Sequence, residues 1–186
     1  MKTLILIPGF ANPASVWKHQ VDDLSSAFHI QVPVMNKEKS RDQMVQAVLA
    51  TAPDRFCLAG HSMGGWVAQA VAAAAPDRVE RLVLLNTWAT SEPTRLQFQR
   101  QIAEEIKAGR LKEVMERHLS LIIHPSKLQD AHLIQALAQM VSDFSLETLQ
   151  CLSLEPCVLK TSWGQSPMNQ PISLLTFKQS RMRSRL

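Results

Sequence analysis

Two glycines frame a serine at Gly60-His61-Ser62-Met63-Gly64, and this is where the 186-residue chain has the clearest capacity for chemistry. A short apolar run, Phe56 to Ala59, leads into the motif, and an alanine-rich segment leads out of it from Gly65. A strand that turns sharply into a helix lifts one hydroxyl above a sheet, where it can attack an acyl carbon. Such a turn is strained and close-packed, so Gly60 and Gly64 supply room that side chains would fill. The following helix points its N-terminus at Ser62 and favours negative charge there. The N–H of Met63 is then one candidate donor to an oxyanion. His61 should point away from the reacting side and support the turn.

A second donor has to come from a loop that faces the serine. Thr3 to Ile7 reads as a first strand closed by Pro8-Gly9, Ile30 to Met35 as a second, Arg55 to Ala59 as a third and Arg81 to Leu85 as a fourth. Helical spacing fills the intervals. Trp17, Val21, Leu24 and Phe28 follow Asn12-Pro13, where the asparagine can cap and the proline occupy a first turn, and Met44, Val45, Val48 and Leu49 follow a candidate cap at Ser40. The segment from Gly65 to Ala75 completes the set. This alternation predicts a parallel sheet with helices on both faces. In the order second–first–third–fourth, the loop after the first strand faces the crevice at the carboxyl ends, where open α/β sheets bind ligands. The N–H of Phe10 is the natural second donor.

From Thr94 to about Leu149 successive amphipathic faces predict an all-helical insertion that caps the sheet. Beyond it the pattern weakens. Cys157 to Thr161 and Ile172 to Phe177 are candidate strands with no helix between them. The expected division is a core over 1–92, a helical cap over 93–150, and an incomplete core segment with a basic tail over 151–186. Losing further strands would leave the fourth strand as an exposed apolar edge.

Composition excludes several classes. Apolar residues form 46% of the chain and charged residues 19%, as in globular rather than disordered proteins. The net charge of +4 comes from Lys178, Arg181, Arg183 and Arg185, so no basic face for nucleic acid is expected. No apolar run reaches membrane-spanning length, and Leu4 to Ile7 is too short for a signal core. Three cysteines without paired spacing suit a reducing compartment, and a cytoplasmic location is expected. Cys57 should be a small core residue. Neither metal nor cofactor is called for, and oligomeric state stays open.

These motifs resemble the α/β-hydrolase superfamily, specifically its small esterase-like members with Gly-His-Ser-Met-Gly-Gly. The resemblance covers about residues 2 to 150, through Leu-Ile-Pro-Gly-Phe, the turn at Ser62, and Ala75 to Thr87. Gly-His-Ser-x-Gly acyltransferases fit less well, being longer and usually carrying an acid where this chain has Gly65. The resemblance implies a serine hydrolase acting on small ester or related acyl substrates. Ser62 would be the nucleophile, with Phe10 and Met63 as oxyanion donors, and the cap would shape a pocket including Trp88 and Met115. It also implies a later acid in a Gly-x-x-Asp turn and a histidine near the C-terminus. Neither matches here. After Ser62 the histidines are His118, His124 and His132, the last aspartate is Asp143 and the last acid is Glu155. Some relatives place the acid after the fourth strand, where this chain has the neutral Asn86. The alternative expectation is therefore a catalytically deficient homologue, truncated or frame-altered after about residue 150, that lacks the triad acid and base and is either decayed or surviving as a binding protein.

Overall fold

The structure, a computed structural model, describes residues 1–89, 93–123, 125–127, 129–131, 134–135, 145–149 and 172–175. Five strands form one all-parallel sheet: β1 (Lys2–Ile7), β2 (Phe28–Gln31), β3 (Phe56–His61), β4 (Val79–Leu85) and β5 (Ile172–Leu175), in the order β2-β1-β3-β4-β5. The first four stand in the order expected from the sequence. The helices between them are α1 (Lys18–Leu24), which follows a 3₁₀ turn at Ala14–Trp17, then α2 (Arg41–Thr51) and α3 (Met63–Ala74). Two longer helices, α4 (Pro93–Lys107) and α5 (Leu111–Ile122), lie in the cap, whose described residues also include a 3₁₀ turn at Pro125–Lys127 and residues 145–149.

Alternation along the strands divides the core between two faces. Ile5, Ile7, Phe56, Leu58, Leu82 and Leu84 pack against Met44, Val45 and Val48 of α2 and Trp66, Val67 and Val71 of α3. Leu4, Leu6, Cys57 and Ala59 face the other way and meet Trp17, Val21 and Leu24. Cys57 is a free, buried core thiol, and burial pushes its pKa up. Parallel strands buried on both faces need such near-continuous apolar runs.

Local signals explain most boundaries. Ser40 caps α2 by accepting from the Gln43 N–H through its hydroxyl at 3.2 Å. At the other end, the Arg78 guanidinium donates to the carbonyls of Leu49, Ala52 and Pro53, which satisfies acceptors the helix leaves open. Two expectations shift. Phe28 begins β2, paired with Lys2, instead of continuing the α1 face, because the helix stops at Leu24 and the chain turns through Ser25–Ala27. The second strand ends at Gln31, well short of Met35, and Pro33 just beyond has no N–H for a ladder.

The exposed edge expected if further strands were lost does not arise at β4, because β5, from the C-terminal segment, pairs with it in parallel from Leu82–Ile172 to Leu85–Leu175. This strand falls within the candidate Ile172 to Phe177. The other candidate, Cys157 to Thr161, lies outside the described residues, as does most of the proposed 151–186 segment. Among the described residues, no helix is long and apolar enough to cross a membrane.

Candidate active site

The carboxyl ends of β1, β3 and β4 lie side by side, and each is followed by a non-glycine residue with positive φ: Ala11 at 53°, Ser62 at 53° and Asn86 at 46°. A bulky residue in such a conformation costs about 1–3 kcal/mol unless its surroundings enforce it. Ser62, with ψ at −119°, joins β3 directly to α3. Helix α3 therefore starts at Met63, two residues before the Gly65 start expected from sequence.

The surroundings of this turn explain its glycines. A Cβ on Gly60 would lie 2.2 Å from the Gly64 carbonyl oxygen. A Cβ on Gly64 would lie 2.3 Å from the carbonyl oxygens of both Ile7 and Pro8. Gly64 is thus the point where α3 presses on the end of β1, and this close approach carries the first-strand loop to the serine. A Cβ on Gly9 would come within 3.4 Å of Ser62 Cβ and 3.3 Å of His61 Nδ1. Two distant stretches of sequence meet at Ser62, as the strand order requires.

The loop itself is held by Asn12. Its N–H donates to the Gly9 carbonyl at 3.2 Å, and its side-chain Nδ2 donates to the Phe10 carbonyl at 2.8 Å. The tight turn forces positive φ on Ala11, a position where glycine is the ordinary choice. Asn12, read from sequence as a possible helix cap, instead fixes this loop: the 3₁₀ turn has Pro13 at its cap position and no side-chain cap bond. Met63 opens α3, and the first N–H groups of a helix have no intrahelical acceptor.

His61 ends β3 and lines a cavity of about 210 Å³ with Val16, Trp17, Gln20, Leu85 and Asn86, on the α1 side of the sheet. Burial lowers its pKa, so the ring is neutral at neutral pH. His118 on α5 is half-buried and its pKa is lowered for the same reason. His124, His132, Asp143 and Glu155 lie outside the described residues.

Among the described residues, the apolar contact of the cap with the core is made at the loop after β1, and Lys39 pairs with Glu147 at 2.6 Å away from it. Ala11 packs with Ile106 of α4, Val114 of α5 and Leu149, with Ile102, Leu111 and Met115 around them. Phe10 touches this cluster and also the central core that includes Trp88. Of the two residues expected near an acyl pocket, Trp88 packs against the central core and Met115 against the cap cluster, and Phe10 packs against both.

Sequence reasoning missed the residues that hold the turn from the β4 side. The Ser62 N–H donates to the Leu85 carbonyl at 3.0 Å, and the Thr87 hydroxyl donates to the Ser62 carbonyl at 2.6 Å. Gln69, buried in α3, donates from Nε2 to the carbonyls of Trp88 (2.8 Å) and Gly65 (3.2 Å). A buried amide in an otherwise apolar helix face was the available signal for Gln69. Thr87 follows a strand and carries no comparable mark.

Comparison with known proteins agrees with this architecture. A family described as the alpha/beta hydrolase fold matches residues 34–123. The chain is 31% identical over 153 residues to a pimeloyl-[acyl-carrier protein] methyl ester esterase from Pectobacterium carotovorum, a match covering 72% of this chain and 58% of that protein. An esterase of the same description from Nitrosomonas europaea is 27% identical, with 90% and 71% covered. The chain thus spans little more than half the length of the first of these relatives. Among solved structures, a thermophilic esterase from Thermogutta terrifontis superposes with a TM-score of 0.75 at 22% identity, over 95% of this chain and 71% of that one. Sheet order, the turn at Ser62 and these likenesses agree: the chain has the alpha/beta hydrolase fold, and residues 34–123 match the family of that description.

Proposed function

We propose that this protein is an esterase-type hydrolase in which Ser62 is the nucleophile. The observation that carries the reading is the backbone of Ser62, held at positive φ between β3 and α3 with the Gly9-Phe10 loop against its side chain. In this reading Ser62 Oγ attacks the ester carbon. The N–H groups of Phe10 and Met63 receive the negative oxygen, helped by the N-terminus of α3. The alkoxide leaves with a proton, and water releases the acyl group. Gly60 and Gly64 keep the turn tight, and His61 supports it from the α1 side. The substrate class is a small-molecule acyl ester. The two relatives support ester hydrolysis, although their names specify a methyl ester of an acyl group borne on a carrier protein and not a free small molecule. Phe10, Trp88 and Met115 supply apolar surface for the acyl part. The sparse cysteine usage fits a cytoplasmic site of action.

A second reading is favoured by one observation: residues 133–186 contain no histidine, and 156–186 contain no acid. A serine hydroxyl needs a base within about 3 Å to attack at neutral pH. In this second reading the 186 residues hold the nucleophile and oxyanion half of the machinery and act as a deficient homologue. A fluorophosphonate probe separates the two. Rapid labelling of the purified chain, abolished in Ser62→Ala, is expected if a base is present and overturns the deficient reading. Labelling that is equally slow in both proteins overturns the hydrolase reading for this chain.

A further inference from the structure

We propose that Thr87 is a positioning residue for Ser62, acting through the serine's own backbone. This rests on the reading of Ser62 as nucleophile. Both sides of Ser62 are tied to the segment that leaves β4. The Ser62 N–H reaches the Leu85 carbonyl, and the Ser62 carbonyl accepts from Thr87 Oγ1 at 2.6 Å. That carbonyl also accepts from the N–H groups of Gly65 (3.1 Å) and Trp66 (3.3 Å), so it caps α3 while taking a side-chain bond from outside the helix. The Thr87 bond is the shortest of the three.

The fit of Thr87 is steric as well as polar. A Cβ on Gly65 would lie 2.6 Å from Thr87 Cβ and 2.7 Å from its methyl carbon. Glycine at 65 therefore admits the threonine side chain against the first turn of α3. One turn further along, Gln69 fixes the neighbouring Trp88 carbonyl, so residues 85–88 are joined to the turn at successive points. A non-glycine residue holds positive φ only when its neighbours over-determine it. Here the over-determination comes from β4. Without the Thr87 hydroxyl the Ser62 peptide loses its only described side-chain donor, and the serine backbone relaxes toward ordinary φ. Oγ and the Met63 N–H, which shares a rigid peptide unit with the Ser62 carbonyl, then move relative to the N–H of Phe10 on the first-strand loop.

The test compares Thr87→Val, which keeps shape and removes the donor, with Thr87→Ser, which keeps the donor. Amide hydrogen exchange is followed for residues 60–66 and for β1, together with fluorophosphonate labelling of the same proteins and of Ser62→Ala. Thr87→Val is expected to speed exchange across 60–66 about tenfold, the effect of losing one hydrogen bond, while β1 keeps its wild-type rate. Thr87→Ser is expected to stay within about twofold of wild type. Unchanged exchange in Thr87→Val overturns the proposal. So does Thr87→Ser behaving like Thr87→Val, or faster exchange in β1 to the same degree. The nucleophile reading fails separately, if Ser62→Ala labels as the wild type does. Exchange needs no catalysis, so it reports on the Thr87 bond whatever the labelling shows.

Discussion

The two ends of the sheet solve different problems. At the carboxyl end three successive strands open into positive-φ residues, Ala11, Ser62 and Asn86, and close approaches between backbones exclude any Cβ at Gly60 and Gly64. At the amino end no described residue has positive φ, the β3–β4 register shifts once between Phe56 and Cys57, and ion pairs finish the edge. Glu80 receives Lys2 at 2.7 Å and Arg55 at 3.0 Å, with both cations largely exposed. Strain is concentrated where ligand would arrive, and the opposite edge is finished with replaceable charges. The comparison teaches that local free-energy cost, more than residue polarity, marks the working edge of this fold.

The sharpest way to break the comparison is at Gly64. Gly64→Ala places a methyl against two backbone oxygens that cannot swing aside. It is expected to destabilise the protein by about 3 kcal/mol, read as a drop in the denaturation midpoint. A loss below about 1 kcal/mol would show that the carboxyl edge is looser than described. Next comes Ser62→Gly, which removes the penalty of positive φ. It should stabilise the fold by about 1 kcal/mol in urea titration while eliminating probe labelling. A destabilised Ser62→Gly would mean the serine side chain contributes more than its backbone costs.

The smallest effect belongs to the amino edge. Glu80→Gln should lower thermal stability only slightly at neutral pH, and less as salt is added. The Lys2 hydrogen bond, followed by the charges of Lys2 and Arg55, holds the Glu80 carboxyl below its ordinary value of 4.5. A depressed folded pKa means the contribution is complete above that ordinary value and is lost as pH falls through the folded one. The difference between wild type and Glu80→Gln should therefore vanish in acid. A difference that grows below pH 4.5 would contradict the ion-pair account.

Short-range signals made the site legible. Gly60 and Gly64 stand at the spacing a tight strand-to-helix turn requires, and the run before them is continuously apolar, as in a strand buried on both faces. The alternation of elements implies the parallel sheet, and within it the order second–first–third–fourth is what sets the loop of Phe10 beside Ser62. What remained hidden depends on partners distant in sequence. Nothing around Phe28 says that it pairs with Lys2. The weak pattern near Ile172 suggested a strand but not its place beside Leu82. Thr87 and Asn12 are ordinary polar residues whose importance comes from the carbonyls they meet, and a carbonyl carries no residue-specific signal.

The pairing of β5 with β4 also sets an order of events during folding. Leu82 and Ile172 are neighbours in the sheet but ninety positions apart in the chain. Pairing across so long a span pays a large closure entropy once, and that entropy then rises only slowly with further length. The span between β4 and β5 can therefore lengthen or shorten, and the cap with it, at little thermodynamic expense. Kinetics bears the consequence instead. As the chain emerges from synthesis, β1 to β4 are complete while the Leu82–Leu85 edge waits for its last strand. That interval is when an apolar strand edge is open to a second copy of itself, so losses in yield should originate there even where the finished fold is stable.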